Sequence, residues 1–216
     1  MAPVTRKGKS MTTTPNRPYP DSDLNVAGPN ERTVELFAAG DSRRYAEIGV
    51  YRGYTAERIA QVLGGGGEIQ LFDYADRVEP VAARLRAAGH CNVVAHGNSG
   101  RLLDSYNWSL MAVLAEHSEP LFDYVFIDGA HTWAHDALAF LLADRLLVRG
   151  GYMDFDDYGW TLASSPSMNP AAFTEIDALY TAEQITTHQV ALVVDLLVRR
   201  DERYEEIVAD KVFRKR

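Results

Sequence analysis

Three acidic positions define the chemistry open to this chain. Phe122-Asp-Tyr-Val-Phe-Ile runs into Asp128, and Gly151-Tyr-Met-Asp-Phe runs into Asp156 and Asp157, 28 and 29 residues further on. Both runs are short and mostly apolar and read as buried strands, so their acids leave at neighbouring carboxyl ends. Three converging carboxylates repel one another unless a cation lies among them. All-oxygen ligation suits Mg²⁺, Mn²⁺ or Ca²⁺ rather than a soft metal. His131 closes the run Asp-Gly-Ala-His. Imidazole titrates near neutral pH and can take a proton from a hydroxyl, which makes His131 the candidate base beside Asp128. Lysine is absent from this stretch, so that role is not expected of one. His131 and His135 also have the spacing of a two-histidine zinc site, but the Glu that follows the first His of such motifs is missing. His135 is expected on the exposed side of a helix.

A second group of residues suits a nucleoside ligand. Tyr45-Ala-Glu-Ile-Gly-Val-Tyr-Arg-Gly-Tyr-Thr-Ala56 reads as a strand, a turn built on Gly49 and Gly53, and a helix start at Thr55. Small residues before a helix N-terminus let a ligand approach free N–H groups. Glu47 is unsuited to a phosphate but suited to an ammonium or sulfonium, which points to S-adenosylmethionine. The next strand, Glu68-Ile-Gln-Leu-Phe-Asp73, ends in an acid able to accept ribose hydroxyls, and Tyr74 beside it can stack on adenine. His96-Gly-Asn-Ser-Gly100 places Asn98 and Ser99 where small polar groups would meet the adenine edge. The dinucleotide pattern Gly-x-Gly-x-x-Gly does not fit, because Tyr51 and Arg52 occupy its middle.

The pattern Glu-x-Gly-x-x-x-Gly (Glu47, Gly49, Gly53) resembles the first motif of class I S-adenosylmethionine-dependent methyltransferases. Glu-Ile-Gly-Val-Tyr-Arg-Gly-Tyr-Thr-Ala is similar to the catechol O-methyltransferase branch, while Asp-Gly-Ala-His and Asp-Asp-Tyr look more like the macrocin and mycinamicin sugar O-methyltransferases. The resemblance covers residues 45 to about 160. It implies that Glu47, Gly49, Tyr51, Gly53, Thr55, Asp73, Tyr74, Asn98, Ser99 and Asp128 contact the cofactor. It also implies that Asp128, Asp156 and Asp157 hold a divalent metal, and that Asp128 and His131 serve catalysis. The fold it implies is α/β: a doubly wound, mostly parallel seven-stranded sheet finished by a C-terminal antiparallel hairpin. The expected acceptor is a small-molecule hydroxyl, on a sugar or a phenol of a secondary metabolite. Metal-free transfer to nitrogen, a nicotinamide-dependent reductase and a non-catalytic binding module remain as rivals.

The elements that must position these residues follow from periodicity. Strands are expected at 45–48, 68–73, 92–96, 122–127 and 150–155, alternating with helices at 54–63, 79–88, 101–115 and 132–147. Such alternation implies a parallel sheet covered by helices. A short helix at 31–39 precedes them. Past Pro170 a helix is expected near 171–183, followed by the apolar Val190-Ala-Leu-Val-Val194, a hairpin turn at Asp201-Glu202-Arg203 and a strand near 204–213. Residues 1–22 read as a flexible arm and 23–216 as one domain. With 216 residues, 46% of them hydrophobic, the chain needs no staple. Cys91 is the only cysteine, which excludes an internal disulfide and fits a reducing, cytoplasmic setting. A net charge of −8 disfavours a nucleic-acid partner, and no apolar run has the length of a membrane span. A homo-oligomer is left open.

Overall fold

The computed structural model describes residues 28–101 and 103–216; the arm expected at 1–22 lies outside them. Five strands form the parallel part of a seven-stranded sheet: β1 (Arg44–Ile48), β2 (Glu68–Tyr74), β3 (Val93–Asn98), β4 (Phe122–Ile127) and β5 (Leu147–Phe155). The hairpin β6 (Tyr204–Val208) and β7 (Val212–Lys215) completes it, with β7 antiparallel to β5 and the order β3-β2-β1-β4-β5-β7-β6. This is the expected doubly wound α/β sheet with its C-terminal hairpin.

Side-chain alternation divides the core. Tyr45, Leu71, Tyr124 and Phe126 face one cluster, beneath α1 (Glu31–Ala38), α2 (Tyr54–Leu63) and α3 (Ala75–Ala87). Ala46, Ile48, Phe72, Val125, Ile127 and Phe155 face the other, beneath α4 (Tyr106–Glu116), α5 (Trp133–Leu146) and the segment after residue 189. Burial on both faces explains why these strands read as continuous apolar runs. Chain order reverses between β1 and β4. A crevice therefore opens at the carboxyl ends of β1, β2, β4 and β5.

The structure adds to or differs from the expected elements at five places. The helix expected from 101 begins at Tyr106, where the Ser105 side chain accepts a hydrogen bond from the Asn107 N–H and caps the first turn. The helix expected at 79–88 starts already at Ala75 and runs through Pro80. Around 171–183 there is only a 3₁₀ turn at Ile176–Ala178 before α6 (Ala182–Thr186), which a Thr181–Gln184 capping box starts. Residues 190–194 are helical: α7 (Gln189–Val193) passes into a π-helical turn, Val194–Val198. Val190, Val193, Val194 and Val198 recur at helical spacing and are buried against the sheet. The hairpin turn is 209–211, and Asp201–Arg203 only leads the chain into β6.

Candidate functional site

The crevice is a cleft of about 610 Å³, within the range of small-molecule sites. One half is the glycine turn after β1. Gly49 has φ +89° and Gly53 φ +76°; a Cβ on Gly49 would lie 2.0 Å from the Asp128 carbonyl oxygen, and one on Gly53 2.4 Å from a Val81 methyl. The turn is folded by Asp73, whose Oδ2 accepts from the Val50 and Tyr51 N–H groups at 2.9 and 2.7 Å. Its Oδ1 accepts from the Tyr74 N–H at 2.7 Å. Asp73 thus shapes the turn as well as facing the cleft, which the sequence reading did not foresee. The Arg77 guanidinium lies near the rings of both Tyr51 and Tyr74, at 5.3 and 5.4 Å. The Thr55 hydroxyl accepts from the Asn30 N–H at 2.9 Å, so it anchors the entry to α1 at the cleft rim.

Glu47 is buried on the cleft wall and accepts a hydrogen bond from the Tyr45 hydroxyl at 2.9 Å. Burial raises its pKa to about 8; the Tyr45 bond opposes the rise and the Asp73 charge adds to it. An acid with a raised folded pKa stabilises fully below its unfolded value near 4.5, and that stability is lost as pH climbs toward 8. The chain is therefore expected to lose stability between about pH 5 and 8. Glu47→Gln should flatten that slope in denaturant titrations at the two pH values, and an unchanged slope would remove Glu47 from the account.

Asn98 is buried at the cleft. Its Nδ2 donates to the Ser99 and Asp104 carbonyls at 3.2 and 3.1 Å, while its Oδ1 is buried without a partner. An orphaned acceptor of this kind calls for a donor from outside the protein. Ser99 turns away: its N–H and hydroxyl both bond Asp104 Oδ2, and it does not line the cleft.

The other half gathers acids around one histidine. Asp128, His131 and Asp157 each offer one ligand atom, and these atoms lie within 4.8 Å of one another. His131 Nε2 stands 3.3 Å from Asp157 Oδ2 and 3.9 Å from Asp128 Oδ1. The compact trio thus contains His131 where the three-aspartate reading had Asp156. Asp156 lines the cleft but pairs with Lys211 Nζ at 3.9 Å. Burial, then Asp156, Asp157 and Glu47, push the Asp128 carboxyl well above the usual range. Burial likewise raises Asp157, with His131 opposing and Asp156 adding to the rise. A cation would relieve this repulsion. His131 (φ +54°), Asp157 (φ +59°) and Tyr51 (φ +49°) all hold left-handed backbone, and strain of this kind concentrates at functional sites.

Neighbours fix the trio. The Tyr106 hydroxyl donates to buried Asp136 at 2.7 Å and accepts from the Ala130 N–H at 3.1 Å, propping the loop between Asp128 and His131. His135 lines the cleft instead of pointing to solvent; its Nδ1 meets the Thr132 hydroxyl at 2.9 Å, and burial lowers its pKa. Trp160 packs 5.1 Å from the His131 ring, whereas Tyr158 turns to Asp195 and Trp133 is outside the lining. Lysine is absent from the local stretch, but Lys211 arrives from the hairpin, 83 residues after Asp128 in the chain. No local spacing could have revealed it, or Tyr106.

Known proteins share this fold. The fold resembles an O-methyltransferase from Bacillus cereus solved in complex with SAH, at 18% identity and TM-score 0.60 over 91% of this chain and 84% of that one. It also resembles an SAH-bound methyltransferase from Podospora anserina, at 16% identity and TM-score 0.54 over 86% and 76% of the two chains. No curated protein sequence matches. Among the described residues, no helix is long and apolar enough to cross a membrane. The family model described as "Methyltransferase domain" matches residues 46–158, which hold both the glycine turn and the acid trio. On that match, which spans more than half of its length, the chain belongs to the methyltransferase domain family.

Proposed function

We propose that this chain moves the methyl group of S-adenosylmethionine onto a hydroxyl of a small molecule, with a divalent cation on the acceptor side. One observation carries the reading: a single cleft joins the Glu47–Gly49–Asp73–Asn98 half to the Asp128–His131–Asp157 half. The first half suits the cofactor. Glu47 can meet its ammonium, Asp73 its ribose, and the unpartnered Asn98 Oδ1 can accept from the adenine amine. The structures from Bacillus cereus and Podospora anserina were solved with SAH on the same fold, which supports the assignment.

The second half suits the acceptor. Asp128 and Asp157 would hold the ion, Mg²⁺ or Mn²⁺, and a bound cation lowers the pKa of a hydroxyl beside it. His131 takes that proton. Tyr106, through Ala130, and Trp160, through ring packing, keep the imidazole in place. The acceptor oxygen then attacks the methyl carbon in line with the departing sulfur. Alignment of the two reactants alone can supply roughly 7–11 kcal/mol of the barrier.

The acceptor wall consists of Trp160, Leu162, Met168 and Tyr180, with Ser165 and Ser167 between them. The two arginines of the lining, Arg52 and Arg77, are on the cofactor side. An apolar wall without basic groups fits a neutral ring carrying hydroxyls, a sugar or a phenol of a secondary metabolite, rather than an anion. The lone cysteine fits action in the cytoplasm.

Thermal unfolding tests the assignment. S-adenosylhomocysteine at 100 times its Kd should add about 2.7 kcal/mol, a rise of roughly 5–10 °C for a chain of this size. Mg²⁺ should raise the midpoint further, and chelator should remove that increment. A response to NAD in place of S-adenosylhomocysteine would overturn the cofactor.

A further inference from the structure

The helices over the second core cluster are apolar on both sides. α1 and α2 each carry one apolar and one polar side, as suits a helix packed on a sheet with its back in water. α4 and α5 do not. Between Tyr106 and Ala115 α4 has no charged residue, and the first exposed charge of α5 is Arg145. Burial is inverted along both: Asn107, Asp136 and Asp144 are buried, while Trp108 is 67% exposed, Leu141 53% and Leu138 45%. α5 packs against both α4 and α7. Where α5 and α7 begin, the Trp133 N–H donates to the Gln189 side-chain oxygen at 2.8 Å. Leu192 and Leu196 carry the exposed apolar residues on over α7 and the turn after it.

A helix that is apolar all round belongs in a buried place. Trp108, Trp133, Leu138, Leu141, Leu192 and Leu196 together leave roughly 500–600 Å² of apolar surface bare. A standard interface buries about 800 Å² per partner, about 65% of it apolar between identical subunits, which is about 520 Å². The face therefore has the area one side of a dimer needs. It also lacks exposed charge along α4 and most of α5, so two copies meet there without like-charge repulsion. Other occupants fit worse. Residues 1–27 join at Gly28 ahead of α1, on the opposite side of the sheet, and have only Val4, Leu24 and Val26 as branched aliphatics. A net charge of −8 opposes an anionic membrane surface. We infer that a second copy of this chain covers the face, through a two-fold contact that sets α4, α5 and α7 against their counterparts.

Sedimentation equilibrium of the full chain tests this. The parent should have twice the mass of one chain at about 10 µM, because interfaces of this size bind at micromolar concentration or below. Trp108→Glu combined with Leu141→Glu puts two charges into the contact and should raise the dissociation constant at least about 100-fold. An unfolding midpoint close to the parent's certifies the fold of that variant. Should the charged pair fail to fold, Leu141→Ser takes its place and should weaken the dimer about tenfold. Val62→Glu, at an exposed apolar residue of α2 on the opposite face, should leave the dimer intact. A parent that is monomeric at about 10 µM overturns the inference and gives the face to residues 1–27 or to a different protein. A dimer that survives the folded glutamate pair, or Leu141→Ser in its place, overturns it as well. So does a dimer that Val62→Glu breaks equally.

Discussion

Asp157→Asn is expected to lower turnover by roughly 10²–10³-fold, because a cation's contribution to such a step is several kcal/mol. Asp157 is the acid nearest the imidazole, 3.3 Å from His131 Nε2, and one of the trio. The Asn substitution is chosen for its backbone. Asp157 holds φ +59°, a region that Asn tolerates about as well as Asp and that most other residues avoid. The fold and the glycine-turn half should therefore survive, with affinity for S-adenosylhomocysteine within about twofold. Only the charge at the acceptor side changes. Methyl-transfer rates and cofactor titrations of the same preparation decide the matter. A variant within threefold of the parent, equally active in chelator, would leave Asp157 without a role in the chemistry.

The second large effect is expected at Gly49. Its N–H donates to the Phe72 carbonyl at 2.9 Å, and its backbone passes against the end of β4. A methyl group there would meet the Asp128 carbonyl oxygen at 2.0 Å and the Gly129 Cα at 2.7 Å, with φ at +89°. Both contacts are backbone, so neither can swing aside. Left-handed strain costs about 1–3 kcal/mol and overpacking about 1–3 kcal/mol more. Gly49→Ala should lower the unfolding midpoint by roughly 5–20 °C. It should also weaken both halves of the cleft together, since relief of the clash displaces Asp128. Gly40→Ala is the control: its added methyl meets nothing closer than 3.7 Å. Calorimetry of both variants is sufficient. A Gly49→Ala protein as stable as the control would show that β1 and β4 are not locked as the contacts imply.

These two residues differ in how legible they were. Gly49 belongs to a local pattern, because a tight turn between a strand and a helix requires missing Cβ atoms at fixed offsets. Glu47, Asp73 and Asn98 follow similarly from strand ends, since a parallel sheet brings all its carboxyl ends to one edge. Asp128 and Asp157 come together for the same reason. What that rule cannot give is direction. Ser99 sits one residue beyond Asn98 and faces away, bonded to Asp104. Asp156 and Asp157 are adjacent in sequence, yet the left-handed φ of Asp157 aligns one with His131 and leaves the other to Lys211.

The sequence by itself determined the alternation of strands and helices, the glycine turn and the edge at which chemistry collects. All of these depend on periods of a few residues and on the conformational freedom of single residues. It left Val190–Val194 unassigned, because a short apolar run fits a buried strand and a buried helix equally well. Only packing against the second core cluster decided that it is helical. Tertiary structure alone also brought Lys211 beneath the acids and Tyr106 beneath the Ala130 loop. Each is a contact between segments far apart in the chain, fixed by hairpin register and helix docking, and neither leaves a trace in local spacing.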